Sequence, residues 1–183
     1  MVSLSGRLRG VCIVIVAAGT GFLSVQSSSA AGLELESVGA RGGASDNANF
    51  TEIEALLDWK LPWRWDWASD WHLQTKLNCS LGSLEAESRT AAIGSAGPAL
   101  LLSYDRVPVN LEGGASFTLV SRATFGEKDL GSILQFTSYI GLNWDMTRHI
   151  RFGYRFSHMS NAGIDSRHNS GLNMHMLALS YLF

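Results

Sequence analysis

The sequence predicts an all-β protein, an eight-stranded antiparallel transmembrane β-barrel of the bacterial outer membrane. Three observations support this fold class. The chain begins with an export signal, its later apolar residues alternate with polar ones as in β-strands, and it ends on Phe183 with Tyr181 and Leu179 on the same face. An exported chain without an apolar helix can still cross a membrane as a barrel, because closure pairs every backbone polar group.

Residues 1–30 are predicted to be a cleaved secretory signal peptide, which leaves 31–183 as one barrel domain. Arg7 and Arg9 form the charged start, residues 11–23 form the apolar run, and residues 28–31 supply the small side chains that a signal peptidase needs. Cleavage is expected after Ala30 or Ala31. The alternative, a membrane anchor, is disfavoured because the apolar run is short for a span.

Composition argues against a nucleic-acid partner and against a disulfide. The formal net charge of −2 argues against a nucleic-acid partner. Cys12 leaves with the signal and Cys79 remains alone, so the mature chain has no intramolecular disulfide.

Eight segments are expected to form the strands. Residues 32–41 are weakly patterned, and residues 98–104 are short and nearly all apolar. The other six segments alternate with the period of a strand; they are 53–61, 71–81, 109–119, 134–144, 150–156 and 177–183.

The inward positions of these strands carry both charges, as expected for the filled interior of a small barrel. We assign to this interior His72, Gln74, Lys76, Glu112, Arg151 and Arg155. A soluble barrel or sandwich would also alternate, but here the outward set is apolar. Trp59, Trp63, Trp65, Trp67 and Trp71 also crowd one turn, as an interfacial girdle would. The chain end at Phe183 resembles the C-terminal signal of outer-membrane barrels.

The expected topology places both termini in the periplasm. Periplasmic turns are then predicted near residues 62–70, 105–106 and 145–148. The outward loops are predicted near residues 42–49, 84–96, 122–131 and 161–170.

The candidate site lies at the outer end of the seventh strand. His158 and Ser160 are two residues apart, so on a strand both side chains face the same way, with Cα atoms roughly 6.5 Å apart. A base within reach of a hydroxyl is the minimum for a serine nucleophile. Asn161 and the backbone of Gly163 can offer donors to an oxyanion. The alternative is a strand end that passes into a polar turn.

Parity places this cluster on the lipid-facing wall. His158 and Ser160 share parity with Phe152, Tyr154 and Phe156. Asn173 shares parity with the outward residues of the last strand. Polar groups that face lipid are costly and usually functional, and a substrate that approaches there would be a lipid.

The string from Ser157 to Gly163, followed by residues 169–173 and a short strand ending in Phe183, resembles the PagL family of outer-membrane lipid A 3-O-deacylases. Residues 130–136 and 140–141 are a weaker second match. The resemblance implies an eight-stranded barrel that removes the ester-linked acyl chain at the 3-position of lipid A.

By position, the resemblance makes Ser160 the nucleophile and His158 the general base. It implies that Asn161 and the Gly163 N–H stabilise the oxyanion and that Asn169 supports the loop. Asn173 stands where the best-known member has the glutamate of its triad. An amide can orient the imidazole but cannot stabilise its charged form as a carboxylate does. Asp165 is an acid close by in the sequence, and it ranks below Asn173 as a candidate for the third member of the triad.

The residues and the resemblance together imply a serine esterase that acts on lipid A, without a metal or cofactor. Its partners are lipopolysaccharide and outer-membrane lipids, and a homodimer is left open. The alternative is a non-catalytic small barrel with a structural or adhesion role, which would not need His158, Ser160 and Asn173 on its outer wall.

Overall fold

The computed structural model describes residues 33–46, 48–67, 70–163 and 171–183. The predicted signal peptide lies outside these residues and remains a prediction. The described part of the chain contains no helix with the length and hydropathy needed to span a bilayer.

Within the described residues the chain forms ten strands. They are β1 Glu34–Ser45, β2 Thr51–Trp67, β3 Trp71–Ala86, β4 Arg89–Tyr104, β5 Val107–Val120, β6 Thr124–Phe125, β7 Lys128–Asp129, β8 Leu134–Asp145, β9 Ile150–Ser160 and β10 Leu172–Leu182. Eight of them close an antiparallel barrel in the order β1, β10, β9, β8, β5, β4, β3, β2, while β6 and β7 form a separate hairpin. The predicted eight-stranded barrel is confirmed.

Two of the predicted connections are wrong in position. The loop expected at residues 84–96 is a two-residue turn at Glu87 and Ser88, whose φ values of 49° and 57° suit a tight hairpin. Residues 98–104 are therefore only the second half of β4. The turn expected at 62–70 is mostly strand, because β2 continues to Trp67 past an irregularity between Lys60 and Arg64.

The sequence around these sites explains the differences. Pro62 lies inside the irregular part of β2, and a proline has no N–H to donate to a ladder. The strand accommodates this proline as a local break in pairing. Conversely, the Glu87–Ser88 turn contains neither glycine nor asparagine, the residues that usually mark such a hairpin.

The barrel exterior is apolar. Large outward side chains such as Ile53 at 63%, Leu81 at 70% and Phe117 at 64% are exposed. The interior contains buried charges instead, including Arg41, Glu54, Lys76, Glu112 and Arg151. This distribution is that of a barrel surrounded by lipid, and it confirms the parity argument.

The interior has two parts. Its middle holds a charged network in which the Lys76 Nζ lies 3.1 Å from both Glu36 and Glu112, and Arg155 lies 3.0 Å from Glu112. Towards the end with the longer loops the interior is apolar, which the sequence did not predict. This apolar plug consists of Phe50, Leu84, Ala86, Ala91, Ile93, Val120, Phe125, Leu130, Met159, Leu172, Met174 and Met176.

Replacing Lys76 by methionine is expected to lower the free energy of unfolding by about 3–5 kcal/mol. The ammonium is fully buried, and its removal leaves the Glu36 and Glu112 carboxylates with less compensating charge. Urea titration of tryptophan fluorescence in lipid vesicles measures the change. Lys128→Met, at an exposed position in β7, is the control. Equal midpoints for the two variants would contradict this account.

Candidate active site

The candidate site lies on the outer wall where β9 ends and β10 begins. His158 is exposed, whereas its neighbours Ser157 and Met159 are buried inside the barrel. On β10, Leu172 and Met174 are likewise buried on either side of Asn173. The apolar plug therefore holds both strands from within, and alternation directs His158, Ser160 and Asn173 outward.

Asn173 and His158 are paired across the two strands. The register places the two residues directly opposite each other, and the Asn173 Oδ1 lies 2.7 Å from the His158 Nδ1. An amide oxygen can only accept, so His158 donates its Nδ1–H in this contact. The other ring nitrogen, Nε2, is then unprotonated in the neutral imidazole and can accept a proton.

Two serine hydroxyls flank His158. Ser160 follows it on β9, and Ser138 of β8 lies opposite it in the register and is exposed. Among the contacts of the described residues, no hydrogen bond joins His158 to either hydroxyl. Catalytic hydrogen bonds are often long before substrate binds, so this geometry leaves the assignment of a nucleophile as a prediction.

The predicted oxyanion donors are hydrogen-bonded to each other. Asn161 is buried, and its Oδ1 accepts a 2.9 Å hydrogen bond from the Gly163 N–H. Ala162 and Gly163 have φ values of 52° and 74°, which turn the backbone sharply after β9. The Gly163 N–H is thus occupied by Asn161 in this conformation, and it must exchange that acceptor to bind an oxyanion.

Gly171 makes room for the His158 imidazole. A Cβ at this position would lie 2.6 Å from Cε1 and 3.3 Å from Nε2 of His158. The φ of 38° at Gly171 is also one that other residues rarely adopt. The ring therefore packs against bare backbone on one side and bonds Asn173 on another.

Gly171→Ala is expected to lower the rate of ester hydrolysis at least roughly tenfold, because the new methyl displaces the imidazole from its position. Hydrolysis by the refolded variant is the measurement, with heat-modifiable gel mobility as the test of folding. Gly42→Ala is a matched control, since the nearest atom to a Cβ there is 3.5 Å away. Unchanged activity of a folded Gly171→Ala variant would show that the ring does not need this space.

Two predicted residues lie outside the described part of the chain. These are Asn169, expected to support the loop, and Asp165, the lower-ranked acid. Within the described residues, no group of three His, Cys, Asp or Glu is arranged to hold a metal ion.

Some residues near the site were not predicted as part of it. Ser138 is one of them, because the strand register places it beside His158. Gly171 is another, because its backbone lies against the His158 ring. His175 and Tyr154 form a hydrogen bond on the same outer wall. The parity of these last two residues already placed them outward, but it could not show that they touch.

Known proteins resemble this chain in sequence and in fold. The family model described as lipid A 3-O-deacylase (PagL) matches residues 52–182. The lipid A deacylase PagL of Bordetella bronchiseptica (strain ATCC BAA-588 / NCTC 13252 / RB50) is 41% identical over 73 residues, which cover 40% of each chain. The crystal structure of the outer membrane enzyme PagL aligns with a TM-score of 0.70 and 23% identity. That alignment covers 79% of this chain and 97% of the other.

Proposed function

The chain belongs to the lipid A 3-O-deacylase (PagL) family, and from that premise we propose that it removes the ester-linked acyl chain at the 3-position of lipid A. Its place is the outer membrane, with the site open to the outer leaflet. The observation that carries the proposal is the His158–Asn173 pair on the lipid-facing wall. A membrane lipid reaches such a site without leaving the bilayer.

In the proposed reaction Ser160 is the nucleophile and His158 the general base. The Ser160 Oγ attacks the ester carbonyl carbon while the His158 Nε2 takes the hydroxyl proton. The tetrahedral intermediate collapses, the bond to the sugar oxygen breaks, and His158 returns the proton to that oxygen. Water then attacks the acyl-enzyme with His158 again acting as base, and this releases the fatty acid and regenerates Ser160.

Asn173 keeps the imidazole in the tautomer that this sequence of steps needs. The Asn173 Oδ1 lies 2.7 Å from the His158 Nδ1 and accepts its N–H, so the proton stays on Nδ1. Nε2 therefore remains the nitrogen that can accept the proton of Ser160. The amide carries no charge, so it orients the ring but stabilises the transient imidazolium less than a carboxylate would.

Asn161 and the Gly163 N–H are the groups proposed to stabilise the developing oxyanion. These groups bond each other in this conformation, so the turn has to rearrange when substrate enters. Asn169, by its place in the loop, is proposed to support the rearranged turn. Release of the Gly163 N–H would give the oxyanion a backbone donor, the usual source of such stabilisation.

The test is mass spectrometry of lipid A from cells with and without the protein. The expected product is lipid A lighter by one acyl chain, together with the matching free fatty acid. Lipid A of unchanged mass, with folded protein present in the outer membrane, would favour a non-catalytic barrel with a structural or adhesion role.

A further inference from the structure

The apolar outer wall is not equally tall all round the barrel. On β5 and β8 it runs almost the full length of the strand, from Val109 to Leu119 and from Leu134 to Trp144. Ten residue steps cover roughly 33 Å along a strand, and a tilt of about 40° leaves roughly 25 Å across the membrane. This is the usual height of the apolar belt of an outer-membrane barrel.

On β9 and β10 the apolar wall is shorter. Towards the loop end, every outward position beyond Phe156 and Leu177 is polar. These positions, which we call the polar notch, are His158, Ser160, Asn173 and His175. Below the notch, each strand has six residue steps to Ile150 or to Phe183. Six steps reach roughly 15 Å across the membrane, so the wall is about 10 Å lower here than on β5 and β8.

The step lies at the outer end of the wall. The register places Phe136 of β8 beside Ser160 and Ile140 beside Phe156. Apolar side chains on β8 therefore continue to the level of Ser160, whereas on β9 they stop four residues lower. His158 and His175 are exposed on the outside of the barrel. The notch therefore faces the bilayer at a depth where the neighbouring strand is still apolar.

A notch at this depth bears on the position of the bilayer surface. Imidazole, amide and hydroxyl groups covered by acyl chains lose their hydrogen bonds to water, which is unfavourable. A bilayer adapts to a short apolar wall by thinning beside it, at a cost that grows with the mismatch. The periplasmic ends of β9 and β10 remain apolar as far as Ile150 and Phe183. The outer leaflet is therefore the one that has to adapt.

We propose that the β9–β10 face thins the outer leaflet locally, so that lipid headgroups and water descend to the polar notch. The partner of this surface is the bilayer itself. For the proposed esterase the consequence is access, because the ester of a lipid lies close to its headgroup. Thinning brings that ester, and the water that hydrolyses the acyl-enzyme, to the depth of His158. This consequence rests on the proposed function, whereas the thinning does not.

Spin labels on refolded protein in phosphatidylcholine vesicles measure the thinning without using activity. One label is carried by Phe156→Cys and the other by Leu81→Cys on β3, the strand opposite β9 in the barrel. Cys79→Ala is present in both. Phe156 lies four residues from the outer end of its strand and Leu81 five from its own. The label at position 156 is expected to be at least about twofold more accessible to a water-soluble nickel chelate.

His175→Leu raises the apolar wall of β10 by two residues, so it is expected to bring this accessibility ratio towards one. His149→Leu is the matched control, because it makes the same replacement at an exposed position at the opposite end of the barrel. It should keep the wild-type ratio. Equal accessibility of the two labels in the wild-type background, or a ratio that His175→Leu leaves unchanged, would overturn the proposal.

Hydrolysis of lipid A in vesicles of short-chain, medium-chain and long-chain phosphatidylcholine tests the consequence for access. The rate is expected to fall as the host bilayer thickens, because the same thinning then costs more. Equal rates at all thicknesses would show that access does not depend on thinning. Higher accessibility at position 156 without hydrolysis in any vesicle would remove the esterase and support the thinning.

Discussion

Ser160→Ala is expected to lower the rate of ester hydrolysis at least roughly 10³-fold, because no acyl-enzyme can form without the hydroxyl. Ser160 ends β9 at an outward position and is not one of the residues that form the apolar plug. The variant should therefore fold as the wild type does. Release of fatty acid from lipid A by refolded protein is the measurement, with heat-modifiable gel mobility as the folding control.

Ser138→Ala is the comparison that makes this result specific. Ser138 lies opposite His158 on β8 and is also outward and exposed, so it is the other hydroxyl that His158 could activate. Hydrolysis should persist in Ser138→Ala. If activity instead survives in Ser160→Ala and is lost in Ser138→Ala, the nucleophile is on β8 and the interpretation of the His-x-Ser pattern is wrong.

Much of the fold could be predicted because strand geometry has a period of two. Residues such as Phe152 and Tyr154 are exposed while Arg151 is buried, as their parity requires. Connections were harder, since the turn at Glu87 and Ser88 lacks the residues that usually mark one. A turn of two ordinary residues leaves almost no local signal.

The same limit applies to the site. The outward faces of His158 and Asn173 follow from parity, and their pairing follows from adjacent strands. The contact of Gly171 with the imidazole depends on the exact path of the backbone, and the approach of Asp46 to His175 depends on barrel closure between β1 and β10. Alternation does not encode either, because both join residues through register and loop conformation.

The apolar plug also positions the outward residues of the candidate site. Met159, Leu172 and Met174 are buried next to the outward residues of the site. Each inward anchor fixes the orientation of its outward neighbours, since adjacent strand residues point to opposite faces. The candidate site therefore lies on two strands that are packed from inside the barrel. Such rigid strands keep the side chains of a site in a fixed arrangement.

Asn173→Ala is expected to lower the rate of hydrolysis roughly 10²-fold, because the imidazole loses the acceptor that fixes its tautomer and orientation. The Asn173 Oδ1 lies 2.7 Å from the His158 Nδ1 at a paired position on the outer wall. Its loss leaves the inward residues Leu172 and Met174 in place, so the barrel should fold normally.

Asn173→Glu is expected to keep or raise the wild-type rate. A carboxylate at this position can accept the same Nδ1–H and in addition stabilise the imidazolium that forms when His158 takes the Ser160 proton. Lipid A hydrolysis by the refolded variants is the measurement, with gel mobility as the folding control. A folded Asn173→Ala variant with full activity would show that another group orients His158. A folded Asn173→Glu variant with much lower activity would show that the site is adapted to a neutral partner, since the carboxylate would then disturb the ring that it was expected to hold.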